Sequence, residues 1–168
     1  MESKEERLKM ANLKTNVMRL LEQAKIPYEM TTYEVKDGKI DGQAVATKIG
    51  KPEHQVFKTL VAVGKSKANY VFVIPVNLEL DLKKAGQVAG EKSIEMLHVK
   101  DLQKVTGYIR GGCSPIGMKK AFPTFIHESA KDLEEITVSG GKIGVQVTLV
   151  PEALSQYINA SFEDLTKA

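Results

Sequence analysis

Two features of this chain have residue types suited to chemistry: a loop and an oddly placed cation. The loop is Gly111-Gly112-Cys113-Ser114-Pro115-Ile116-Gly117. It lies in a stretch from Thr106 to Phe125 that holds four of the thirteen glycines, two of the six prolines and the only cysteine. Glycine reaches positive φ without steric cost and lets a ligand approach the backbone, so such a loop can present amide N–H groups at a surface. Amides presented in this way bind an anion or a developing oxyanion. The same composition also serves a tight connection between two strands, and the residues alone leave both readings open.

The cation is Lys58. In a strand predicted over Gln55 to Val63, Val56, Lys58, Leu60 and Ala62 share one face, and Phe57, Thr59, Val61 and Val63 share the other. Both faces are mostly apolar, as in a strand buried on both sides. A lysine there must snorkel, pair with a carboxylate, or face a polar cavity. An ammonium kept wet at the strand mouth fits the pattern equally well.

Other chemistries find less support. Cys113 with His98 or His127 would supply a thiol nucleophile and a base, but a lone cysteine is more often a small apolar filler. Ser114 lacks the strand-turn-helix setting of a nucleophile elbow. Gly111 to Gly117 does not run into Gly-Lys-Ser/Thr, and no Gly-x-Gly-x-x-Gly opens a helix after a strand, so no nucleotide loop is indicated. His54, His98 and His127 are isolated, so neither a metal nor another cofactor is expected. What survives is Lys58, two loops with backbone amides to offer (Gly111-Gly112 and Ser139-Gly140-Gly141), and the scattered Lys48, Lys51, Lys83, Lys84, Lys119 and Lys120. On residues alone this is a site for an anionic ligand.

The elements that must position these groups are legible from periodicity and caps. Ser3 and Glu6 resemble a capping box, and Leu8 to Ala24 recur at helical spacing up to Pro27, with Thr15 as a possible second start. Tyr28 to Val35 reads as a strand. Asp41 caps a short helix closed by Gly50, and Tyr70 to Ile74 is a continuous apolar strand stopped by Pro75. Asp81 caps a helix ending near Gly90, Ile94 to Val99 fits a strand, and Asp101 to Val105 a helix ended by Gly107. Thr124 to His127 and Ile136 to Ser139 are strands, with Gly140-Gly141 expected as the hairpin turn into Ile143 to Leu149. Pro151 opens a last helix, Glu152 to Ile158. About seven strands that do not alternate regularly with helices predict a single α+β domain, a mixed and largely antiparallel sheet with helices outside it.

Composition sets the outer limits. The 168 residues, 42% hydrophobic and 27% charged, suit one globular domain. The net charge of +3 is too small for a chain that grips nucleic acid over its whole surface, and DNA is not an expected partner. One cysteine excludes an intramolecular disulfide. Tyr70 to Val76 is far short of the roughly 20 apolar residues that span a bilayer, and the N-terminus lacks a secretory signal. A cytoplasmic location is expected, with no membrane partner.

Four blocks in order carry a resemblance. They are Val56-Phe57-Lys58-Thr59-Leu60, then Leu80-Asp81-Leu82-Lys83-Lys84, then Thr106-Gly107-Tyr108 leading to Gly111-Gly112-Cys113-Ser114-Pro115-Ile116-Gly117-x-Lys119-Lys120, then Val138-Ser139-Gly140-Gly141-Lys142. Together they resemble the YbaK/EbsC family, related to the editing domain of bacterial prolyl-tRNA synthetases. The similarity spans residues 14–166, with 1–13 an N-terminal extension or helix start, and it implies the barrel-like fold of that synthetase-associated domain. It also implies a trans-editing deacylase of Cys-tRNA(Pro), with Cys-tRNA(Cys) as an additional candidate substrate. An Ala-tRNA(Pro) deacylase and a non-catalytic regulator of the EbsC type are the alternatives.

By the same resemblance, the family's required lysine falls on Lys58 and its Gly-x-x-x-Pro loop on Gly111 to Pro115. Gly111 and Gly112 are implied as amide donors to the oxyanion. Tyr33, Asp41, Ser114, Pro115, Ser139 and Gly140 are implied in substrate binding. Relatives often carry an aromatic residue where this chain has Asp41, and can carry an acidic one where it has Gln146. The implied route is substrate-assisted: the substrate's own cysteine thiol attacks its ester carbonyl, and Cys113 has no role. The aminoacyl-tRNA 3′ end and prolyl-tRNA synthetase are the implied partners.

Overall fold

A computed structural model describes residues 3–4 and 14–167. The proposed capping box includes Glu6 and the first helical positions from Leu8, which lie outside the described residues. Within them, α1 (Asn16–Gln23) starts at the alternative cap, where the Thr15 hydroxyl accepts from Met18 N–H, and it buries Val17, Met18 and Leu21. Then come β1 (Glu29–Thr32), α2 (Gly42–Ile49), a 3₁₀ turn Glu53–Gln55, β2 (Phe57–Gly64) and β3 (Asn69–Pro75). Next are α3 (Leu82–Ala89), β4 (Ile94–Met96), α4 (Val99–Thr106) and β5 (Thr124–His127). A second 3₁₀ turn Glu128–Asp132, β6 (Ile136–Lys142), β7 (Val145–Leu149), α5 (Pro151–Tyr157) and β8 (Ser161–Glu163) complete the described chain.

The strands form two sheets, ordered β1-β7-β6 and β4-β2-β3-β5-β8. Pairings β1–β7, β6–β7, β2–β3 and β2–β4 are antiparallel, whereas β3–β5 and β5–β8 are parallel. The mixed, largely antiparallel α+β fold is therefore as expected, with eight strands among the described residues where the sequence predicts about seven. β8 has three residues and sits at a sheet edge, too short for an alternation to register.

Both faces of β3 are covered. Val71 and Val73 join Phe57, Ile126, Val138 and Val147 in the larger core between the sheets. Phe72 and Ile74 turn the other way to meet Ala62, Ala85 and Leu165. That double burial explains the unbroken apolar run.

The aspartate caps form as predicted: Asp41 accepts from Ala44 N–H, and Asp81 from Lys83 and Lys84 N–H. Two local expectations are corrected. Gly140 and Gly141 lie inside β6 at a register shift, and the hairpin turns at Ile143-Gly144 instead, where Gly144 takes φ +94°. Val99 opens α4 and does not end β4, because the sheet pairing stops near Leu97, whose N–H reaches Val61 C=O.

Candidate active site

The two sheets meet at one parallel bridge, Val56 to Thr137. Beyond it the strands diverge into their separate sheets, and a cavity of about 670 Å³ opens there. Its wall includes Tyr33, Lys58, Thr59, Gly111, Ser139 and Gln146. A volume of this size holds a ligand larger than one amino acid.

Lys58 lies two residues past the bridge on β2 and is half-buried. Its ammonium forms no hydrogen bond or ion pair among the described residues, since the ion pairs there belong to Lys14, Lys48, Lys84 and Lys167. Burial holds its pKa below the usual lysine value, and the field of Glu79 opposes that shift. A desolvated cation without a partner is costly and attracts an anionic ligand.

Two hydroxyls on the same wall are also unsatisfied. Tyr33 Oη and Thr59 Oγ1 are buried with no hydrogen-bond partner, although buried polar atoms are nearly always bonded. Tyr33 follows β1, its N–H donating to Gly144 C=O at 3.0 Å. Lys48 steadies the loop after it: Nζ donates to Glu34 C=O (2.7 Å), Asp37 Oδ1 (2.8 Å) and Lys39 C=O (2.9 Å), and stands 5.9 Å from the Tyr33 ring centre.

The glycine loop contributes less than its sequence implies. Gly111 lines the cavity at φ +87°, packed so that a Cβ would stand 2.8 Å from Ile40 Cδ1. Its N–H makes no hydrogen bond among the described residues, nor does that of Cys113. Gly112 is off the cavity wall, and its N–H is committed to Ile109 C=O at 3.0 Å. It abuts the backbone of Lys142 and Ile143, where a Cβ would come within 3.0 Å of Ile143 N. As the loop stands here, Gly112 N–H is not available as an oxyanion donor.

Ser114 and Pro115 are also off the wall: both are buried, and Ser114 Oγ accepts from Ile116 N–H at 3.3 Å to shape the turn. Gly140 is likewise absent from the wall, pressed against Val145, whose Cγ1 would be 2.8 Å from an added Cβ. Of the residues singled out in the sequence, Lys58, Gly111, Tyr33, Asp41, Ser139, Cys113 and Gln146 share the cavity.

The wall also holds residues that sequence reasoning passed over. Thr59 escaped because strand alternation sets it opposite Lys58. Arg110 carries no sequence signal, because an exposed arginine in a loop looks the same whether or not it borders a cavity. Cys113 does line the cavity, but burial pushes its thiol up to about 12, against the opposing effect of the Thr106 hydroxyl. A thiol held protonated is a poor nucleophile. His127 is no base for it, being committed to Leu165 N–H through Nδ1 (3.2 Å) and to Thr166 Oγ1 through Nε2 (3.4 Å).

Among the described residues no three His, Cys, Asp or Glu side chains gather as a metal set, and no helix is long and apolar enough to cross a membrane.

Comparison with known proteins places the fold and the family. A curated protein of Enterococcus faecalis, provisionally named Cys-tRNA(Pro)/Cys-tRNA(Cys) deacylase EbsC, is 48% identical over 153 residues, 91% of this chain and 93% of that one. A crystal structure described as a candidate trans-editing enzyme for prolyl-tRNA synthetase superposes with a TM-score of 0.78 at 22% identity, covering 92% of this chain and 99% of the other. A hypothetical protein superposes with a TM-score of 0.83 at 17% identity, covering 91% and 100%. At those identities the two structures speak to the fold alone. Residues 40–157 match the model of the aminoacyl-tRNA editing domain, and the chain belongs to that family.

Proposed function

We propose that this protein is a trans-editing deacylase that hydrolyses the ester of Cys-tRNA(Pro), with Cys-tRNA(Cys) as a second substrate, and that residues 14–166 form its editing domain. The observation that carries the reading is the unpaired Lys58 ammonium on the same cavity wall as the free Gly111 amide and the two orphaned hydroxyls. Family membership and the name of the 48% identical relative supply the substrate class.

In the proposed reaction the substrate's cysteine sulfur attacks its own ester carbonyl. The carbonyl–ribose oxygen bond breaks, the thiol proton ends on the ribose oxygen, and the cysteine leaves as a thiolactone that water opens. Holding thiol and carbonyl together makes this intramolecular step efficient. The Gly111 N–H, with that of Cys113 beside it, stabilises the oxyanion; one such donor is commonly worth about 3 kcal/mol of barrier. Lys58, a compact charge, orients the terminal ribose and phosphate. Tyr33, Thr59 and Ser139 bind the aminoacyl-adenosine, and Asp41 forms part of the wall around it. Prolyl-tRNA synthetase supplies tRNA identity, because a chain of net charge +3 has little general hold on a tRNA body.

The test is a side-by-side assay on cysteinyl-, seryl- and alanyl-tRNA(Pro). The thiol-assisted route predicts fast cleavage of the cysteinyl ester alone. Equal rates on all three would contradict that route, preference for the alanyl ester would move the assignment to an Ala-tRNA(Pro) deacylase, and no cleavage of any would favour a non-catalytic binder.

A further inference from the structure

A basic strip leads away from the cavity rim. Arg110 lines the cavity and is exposed. Three residues earlier Gly107 ends α4, and the Lys119 side chain passes over it: a Cβ there would stand 3.3 Å from Lys119 Cγ. Lys119 is tied to α4 at two points, by its N–H to Thr106 C=O (3.0 Å) and by Nζ to Lys104 C=O (3.4 Å). Lys100 lies one turn before Lys104 on the same helix face, about 5–6 Å away at the Cβ atoms.

All four cations are exposed, and none forms an ion pair among the described residues, Asp101 of the same helix included. By contrast Lys14, Lys48, Lys84 and Lys167 each hold a carboxylate. The chain direction agrees with this path: β4 runs antiparallel to β2, from Gly64 back toward the Lys58 end, and delivers α4 to the cavity side.

We propose that Arg110, Lys119, Lys104 and Lys100 form the track for the RNA backbone that continues from an aminoacyl end seated in the cavity. This rests on the deacylase reading above and names how the polynucleotide part of that substrate is held. The strip is linked step by step: Gly107, three residues before Arg110, lies under the Lys119 side chain, Lys119 reaches Lys104, and Lys100 stands one turn further along α4. Phosphate contacts position an RNA without reading its sequence, so the track complements a synthetase that supplies identity.

The test is binding of an uncharged stem-loop RNA with a single-stranded 3′ end, followed by fluorescence anisotropy across a salt series. The strip variant K100E/K104E/K119E is compared with K65E/K67E/K92E. This control makes the same charge change at exposed lysines around the far end of β2, roughly 20 Å from Lys58. The strip variant should bind about 10-fold or more weakly, and the slope of log K against log salt should shrink by roughly 2 to 3, near one unit per lost phosphate contact. The milder K100Q/K104Q/K119Q should fall between it and wild type, which separates loss of contact from damage to α4.

Unchanged binding in the strip variants, or equal weakening by the control, overturns the track. Hydrolysis of cysteinyl-adenosine, which lacks the RNA, should be the same in strip variant and wild type. A wild-type protein that binds the stem-loop through the strip yet cleaves no ester would keep the track and sink the deacylase reading. Cleavage with binding that ignores the strip would do the reverse.

Discussion

Val56 and Thr137 form a parallel backbone bridge between the two sheets, and Lys58 and Ser139 each follow two residues later on the same cavity wall. The bridge therefore sets the spacing between the half of the site carried by β2 and the half carried by β6. Behind it the Thr137 and Thr148 hydroxyls share a buried hydrogen bond of 2.7 Å, which ties β6 to β7 where the cavity opens.

The orphaned hydroxyls separate binding from stability. Tyr33→Phe and Thr59→Val remove buried oxygens that bond nothing in the free protein. Such changes are neutral or stabilising to the fold. If the oxygens serve substrate, kcat/KM on the aminoacyl-tRNA should fall about 3- to 10-fold per substitution, the worth of a neutral hydrogen bond of roughly 1 kcal/mol. Thermal melting beside steady-state kinetics checks both halves. A fall in stability with kinetics unchanged would mean the hydroxyls are structural.

Cys113 should be chemically quiet. Its thiol lies on the cavity wall but is pushed up to about 12 by burial, so the thiolate needed for nucleophilic attack is scarce near neutrality. Cys113→Ser should keep wild-type kcat on the cysteinyl ester, and iodoacetamide should label the native protein far more slowly than the unfolded chain. Abolished turnover in the serine variant would restore a cysteine nucleophile.

His127 gives the fold an acid limit. It is buried, and desolvation lowers its pKa below 6.5; Asp164 and Glu128 pull upward, while Lys84 adds to the lowering. Its Nδ1 must stay unprotonated to accept from Leu165 N–H. Below 6.5 the unfolded chain binds the proton first, so stability is full above that value and is lost as pH falls toward and through the lower folded pKa. Melting temperatures between about pH 5 and pH 8 should show this loss in wild type and a flatter profile in His127→Gln. Identical profiles would remove His127 as the cause.

Much of this architecture could be read from the residues, and the misses have physical reasons. Asp41, Asp81, Gly50, Gly90 and Gly107 announce their caps, because capping depends on local chemistry. Lys58 stood out because charge in an apolar strand is costly wherever the strand goes. The direction of the Gly112 N–H was not legible, since it depends on φ and ψ set by packing against Lys142 and Ile143. Gly140-Gly141 resembled a turn, but a bulge in β6 uses the same residue type. Thr59 joined the site only because the sheets part there and expose both faces of one strand to a single cavity.

The most direct test is the pair Lys58→Ala and Lys58→Met, with each variant melted and then assayed on Cys-tRNA(Pro). Removing a desolvated ammonium that has no partner should leave the fold intact, and Lys58→Met should melt higher than wild type at neutral pH. That gain should shrink as pH rises from the lowered folded pKa toward 10.5, where the unfolded lysine also loses its proton. Deacylation should fall by about two orders of magnitude or more in both variants, on the order of 3 kcal/mol of barrier. Folded variants that cleave the cysteinyl ester at the wild-type rate would contradict the role given to Lys58 and to the cavity around it.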